Sequence, residues 1–123
     1  MTSIRRSLGQ LGEQLAADHL AAHGYEIVTR NYRCPSGEID LVTRLRDRWV
    51  FVEVRTRRGA DFGTPEESVT AKKKQHVMAA AQTYLQAHAA PDADWRIDFV
   101  AVELSYKGEL LRIEIIENAV NQL

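Results

Sequence analysis

Apolar positions over the first 23 residues recur at helical spacing: Ile4, Leu8, Leu11, Leu15 and His19 fall on one stripe. Gly9, Gly12 and Ala16 lie beside it, where small side chains let another element approach, and Gly24 supplies a C-terminal stop. YEIVTRNYR (25–33) then alternates as a strand and CPSG (34–37) reads as a turn. EIDLVTR (38–44) alternates again, followed by the polar LRDR and the run WVFVEVRTR (49–57), which together form a hairpin pattern. RGADFGTPEE (58–67) is a loop. A second helix is predicted from about Thr70 to Ala89, with Val69, Val77, Ala80, Ala81, Tyr84 and Leu85 on its inner face. PDAD breaks it, WRIDFVAVEL (95–104) is a further strand, and LLRIEIIENA (110–119) follows the YKGE turn as the last. The order α-β-β-β-α-β-β predicts a mixed sheet with helices packed on it. Residues 49–54 are apolar on both alternating faces, as a central strand covered on both sides requires.

Composition adds bounds. A chain of 123 residues is long enough for one core and too short for two, so residues 1–123 are expected to form a single domain. No apolar run approaches the roughly 20 residues of a membrane span. The opening MTSIRRSLGQLGEQL has arginines but no uninterrupted apolar stretch, unlike a secretory signal. One cysteine, Cys34, rules out an internal disulfide and a cysteine-based zinc site. A cytoplasmic protein without membrane contact is the expectation. Net charge is −1, yet residues 28–76 hold eleven Lys/Arg against seven Asp/Glu. A basic middle in a near-neutral protein suggests a local face for a polyanion.

The apolar strand carries a puzzle, because FVEVRTR (51–57) places Glu53 and Arg55 inside it. Ionised groups are seldom buried without a partner, since desolvation costs several kcal/mol. Trp49, Phe51, Glu53, Arg55 and Arg57 share one face of the strand, as Glu38, Asp40 and Val42 do on the strand before it. A hairpin closing at LRDR sets Asp40 opposite Glu53, Glu38 opposite Arg55 and Val42 opposite Phe51. Opposed Cβ atoms lie about 4.5–5.5 Å apart, and like charges at that distance repel. Either one carboxyl keeps a proton or a cation sits between them. Mg²⁺ suits such a pair, since it takes one or two carboxylates and fills its shell with water and phosphate oxygens. Arg55 stays cationic, so it can bind a phosphate and stabilise developing charge but cannot serve as a base. A buried network of Glu38 with Arg55, and Asp40 with backbone donors, fits the same spacing.

GEIDLV (37–42) followed by FVEVRTR (51–57) resembles the YraN-like family of small bacterial proteins. GQLGEQLAADHLAAHGY, the Asn–Arg pair of NYR, SVTAKKKQ, WRIDFVAV and the C-terminal NA match that pattern too, so the resemblance covers nearly the whole chain. Members are predicted endonucleases, distantly similar to archaeal Holliday-junction resolvases within the PD-(D/E)xK nuclease superfamily. The resemblance implies a restriction-endonuclease-like α/β fold and a Mg²⁺- or Mn²⁺-dependent endonuclease acting on DNA, including branched or structured DNA. It places the metal-binding acids at Asp40 and Glu53, with the backbone carbonyl of Val54 as a further ligand. Arg55 falls where the superfamily usually has lysine, which preserves charge but does not help deprotonate water. Residue 39 is Ile rather than the superfamily's proline. Glu13 falls at the position of an accessory acid in related resolvases, which are dimers, so a homodimer is implied as well. The alternative is a nucleic-acid-binding module that keeps the fold without cleaving.

Among the remaining charges, Lys73 best matches the family's lysine in the KKK run and is assigned to phosphate contact. Arg57, Arg30 and Arg33 are candidates to line a groove for the nucleic-acid backbone. Asp98, in an apolar strand, reads as a buried partner for an arginine or for backbone donors rather than as a third site acid. The four histidines show no metal spacing, and Cys34 has no nearby base.

Overall fold

The computed structural model describes residues 4–59, 63–88 and 92–118, with side chains from residue 8 onward. Helix α1 (Ile4–Ala22) leads into strands β1 (Glu26–Cys34), β2 (Gly37–Leu45) and β3 (Arg48–Arg58). Helix α2 (Ala71–Ala87) and strands β4 (Trp95–Leu104) and β5 (Leu110–Ile116) complete the order predicted from the pattern. The sheet runs β1-β2-β3-β4-β5, with β3–β4 parallel and the other neighbours antiparallel. The parallel pair needs a long crossover, and α2 supplies it. The loop before α2 holds one 3₁₀ turn, Glu66–Ser68. Residues 60–62 of that loop, Ala89 and Ala119 lie outside the described residues.

The two faces of the sheet bury separate clusters. Val42 and Phe51 pack with Val77, Ala80, Ala81, Tyr84 and Leu85 of α2. Val50, Val52, Val100 and Val102 pack with Ala16, Ala17 and Leu20 of α1. Each large apolar side chain buried in this way contributes about 1.5–3 kcal/mol. β3 feeds both clusters, which is why it is apolar on both faces.

The inner face of α1 differs from the leucine stripe expected of it. Ala16, Ala17 and Leu20 are buried, whereas Leu11 is 40% exposed. Close approach decides the matter. A methyl group on Gly12 would overlap Thr56 Oγ1 of β3 and stand 3.0 Å from Thr56 Cβ. The small residues therefore take the line of contact, and Leu8 and Leu15 pack half-buried at its flanks. α1 ends as its sequence predicts: Gly24, at φ 91°, donates to Ala21 O, and Tyr25 N–H bonds back to Leu20 O at 3.0 Å.

The β2–β3 register is the one the hairpin predicts, with Val42 opposite Phe51 and Leu41 opposite Val52. There the ladder stops. β2 continues along β1 to Gly37, and β3 continues along β4 to Arg58. The sheet thus forks beyond Leu41 and Val52, and the pairs expected at 40–53 and 38–55 are not ladder pairs. The β1–β2 register also passes over Asn31 and Asp40, where Asn31 takes the left-handed φ of 53°. Tyr32 and Ile39 pack on the α2 side, while Leu41 packs on the α1 side and Arg30 bonds Gln14 of α1. Regular alternation would put residues 39 and 41 on one face. The pleat therefore reverses at Asp40, and its carboxylate turns across the fork to β3.

Candidate functional site

Asp40 Oδ2 accepts the Val54 N–H at 2.8 Å, so one side chain bridges the strands where their backbones part. A strand residue's N–H and C=O leave the same edge, which directs the Val54 carbonyl toward β2 as well. An open cleft of about 730 Å³ lies over this point. Glu13, Asn31, Arg33, Asp40, Arg55 and Arg57 are among its walls. Glu53 is 2% exposed and does not line the cleft; it faces α2. From the first turn of α2, Lys73 Nζ reaches to 2.9 Å from Glu53 Oε2. That contact is an ion pair without hydrogen-bond alignment, and Glu53 Oε2 has no hydrogen-bond partner among the described residues.

The charges explain one another. Burial, then the Glu53 carboxyl beside it, holds Asp40 well above the usual carboxylate range; the Val54 N–H and Lys73 pull it back only in part. Glu13 is also raised, first by burial and then by the negative charges of Asp40 and Glu38, with Arg30 opposing. Glu13 of α1 thus feels the acids of β2, and Asp40 of β2 feels Glu53 of β3. Arg55 and Arg57 each keep a buried Nε without a hydrogen-bond partner among the described residues.

The model of the uncharacterised protein family UPF0102 matches residues 12–102, a span containing Glu13, Asp40, Glu53 and Lys73. The chain belongs to the UPF0102 family. Its relatives include UPF0102 proteins of Dehalococcoides mccartyi, 46% identical over 122 residues with 99% of each chain covered, and of Roseiflexus castenholzii, 46% identical over 123 residues with the same coverage. A UPF0102 protein of Moorella thermoacetica is 44% identical over 119 residues, covering 97% of this chain and 99% of its own. The YraN-like family expected from the motifs is this one.

In this UPF0102 chain the fold gathers most of the residues singled out from sequence. Glu13, Asp40, Val54, Arg55, Arg57 and Arg33 surround one cleft, with Glu53 held beneath it. Three expectations change. Glu38 pairs with the exposed Arg33 at 3.3 Å instead of meeting Arg55. Arg30 leaves the main cleft and donates to Gln14 Oε1 at 2.9 Å. Lys73, assigned to phosphate, sits on Glu53. Asp98 is structural, as read: it is fully buried and accepts from Arg96 Nε, Tyr25 OH and Asn118 N–H, each at 2.9 Å. Asn31 was not singled out as a site residue. Its signal is the tolerance of asparagine for left-handed backbone, and it lies in β1 between the Arg30–Leu41 and Tyr32–Ile39 pairs that flank Asp40.

Proposed function

We propose that this UPF0102 protein is a divalent-metal-dependent endonuclease that hydrolyses phosphodiester bonds of DNA, with branched or structured DNA as its first substrate to test. The observation that carries this is the meeting of Asp40 and Glu53 across the fork, beside a cleft lined by Arg33, Arg55 and Arg57. The donor set fits Mg²⁺ or Mn²⁺: two carboxylates, one with a buried oxygen that meets the Lys73 ammonium but has no hydrogen-bond partner among the described residues, and the Val54 carbonyl. Among the described residues no three His, Cys, Asp or Glu side chains form a cage. That suits an ion which keeps much of its shell for water and substrate. When bound, such an ion supplies charge to a phosphoryl oxygen and acidifies a water.

The chain's own groups have separate tasks in this reading. Asp40 and Glu53 hold the ion, and Val54 N–H fixes the Asp40 carboxylate. Arg55 receives the charge that develops on the phosphoryl group. Arg57 and Arg33 position the nucleic-acid backbone. Glu13 orients water near the acids. The restriction-endonuclease-like grouping and a homodimer belong to the same reading. Cleavage of junction, flap, linear and single-stranded DNA in Mg²⁺ or Mn²⁺ is the test, run beside Asp40→Ala and Glu53→Ala. Cleavage lost in both variants supports the enzyme.

A second reading, a nucleic-acid-binding module that does not cleave, is favoured by one contact: Lys73 already neutralises Glu53. DNA binding that neither substitution weakens, with no cleavage by the wild type, would establish it in place of the first.

A further inference from the structure

We infer that Lys73 is the resident counter-ion of the acid pair, and that a divalent cation binds there only by displacing it. This rests on the metal reading above and adds a competitor from within the chain.

The Glu53 side chain is 3% exposed, and a carboxylate so enclosed needs a neutralising partner. The Lys73 side chain, 26% exposed, reaches it from α2. Arg55, the sequence-adjacent cation, makes no ion pair with Glu53 in the described residues and keeps its Nε unpartnered. The contested atom is Glu53 Oε2. Lys73 Nζ stands 2.9 Å from it, while an Mg²⁺ ion bonds carboxylate oxygen at about 2.0–2.1 Å. An ammonium and a divalent ion on one buried oxygen repel at close range in a low-dielectric setting.

The anchoring favours exchange by the side chain alone. Thr70 caps α2, its Oγ1 accepting the Lys73 backbone N–H at 3.1 Å, so the backbone is fixed where the stem begins. The four-carbon stem of lysine is flexible, and the ammonium moves while the helix stays. Without metal the ion pair holds Glu53; with metal the same charge is a cost. Substitution of Lys73 thus has two effects of opposite sign, weakening the metal-free fold and strengthening metal binding.

Titration calorimetry of Mn²⁺ into the wild type, Lys73→Met and Lys73→Gln, with Lys72→Met as control, tests this, alongside urea unfolding of each without metal. Both Lys73 variants should bind Mn²⁺ about tenfold more tightly and unfold at lower urea, with the control like the wild type. If Lys73→Met does not fold, Lys73→Gln carries the test, and its melting temperature should gain more from saturating Mn²⁺ than the wild type's. Wild-type binding with equal or weaker affinity in the variants overturns the inference and leaves the metal site standing. Absence of binding by every protein removes the metal site and the inference with it.

Discussion

Gly12→Ala measures how closely α1 sits on the sheet. The new methyl would overlap Thr56 Oγ1, stand 3.0 Å from Thr56 Cβ and 3.1 Å from Cγ2. Rotating Thr56 can present Cγ2 or Hβ in place of Oγ1, but no rotation moves Cβ, so helix and strand must give by a few tenths of an ångström. Overpacking of this kind costs about 1–3 kcal/mol. Alanine returns about 1 kcal/mol of helix propensity. The net expectation is a loss of up to about 2 kcal/mol, or a melting temperature lower by up to about 8 °C at this chain length. Gly9→Ala is the internal control: nothing among the described residues lies within 4 Å of its added methyl, so it should stabilise the protein by up to about 1 kcal/mol. In a Thr56→Ala background only the Cβ contact remains, and the Gly12→Ala penalty should fall by at least about 0.5 kcal/mol. Calorimetric melts of the four variants decide the question. A Gly12→Ala protein as stable as the Gly9→Ala control, or a penalty unchanged without Thr56, would refute the close-approach account of α1.

Two further outcomes follow from buried acids. Asp98→Ala strips Arg96, Tyr25 and Asn118 of a shared acceptor and leaves a guanidinium only 14% exposed, so urea unfolding should show a loss of about 3–5 kcal/mol. A loss below about 1 kcal/mol would mean the network is dispensable. Asp40 is raised in the folded state, so its contribution is fully present below the unfolded value near 3.8 and is lost as pH rises through the folded one. Asp40→Asn, which still offers an oxygen to Val54 N–H, should therefore gain stability over the wild type as pH rises, with the gap closing in acid. A constant gap from pH 4 to 9, in unfolding experiments about one pH unit apart, would show that Asp40 is not held protonated by its surroundings.

Much of this architecture was legible because alternation and turn chemistry are local. The two residues between Leu45 and Arg48 fixed the hairpin register, and with it the neighbourhood of Asp40 and Glu53. α2 was readable from Val77, Ala80, Ala81, Tyr84 and Leu85, since its inner face is also its apolar one. α1 was readable as a helix but its buried line was not, because a contact surface of Gly12, Ala16 and Ala17 carries little hydrophobic signal and the leucines beside it carry much. The fork was hidden for another reason. It depends on which strand each half of the hairpin follows, β1 for β2 and β4 for β3, and that has no pattern along the chain. Lys73 is placed near the site by its match, but its pairing with Glu53 is not legible there, since direction from a helix end depends on how the helix docks.

Where β2 and β3 separate, one of the groups that meets Asp40 is an amide of the main chain. Replacing the Val54 side chain leaves that donor in place, and only proline deletes it. The anchor of the Asp40 carboxylate is thus written into the path of the backbone, so drift in the surrounding side chains can retune the pocket without unseating the acid at its centre.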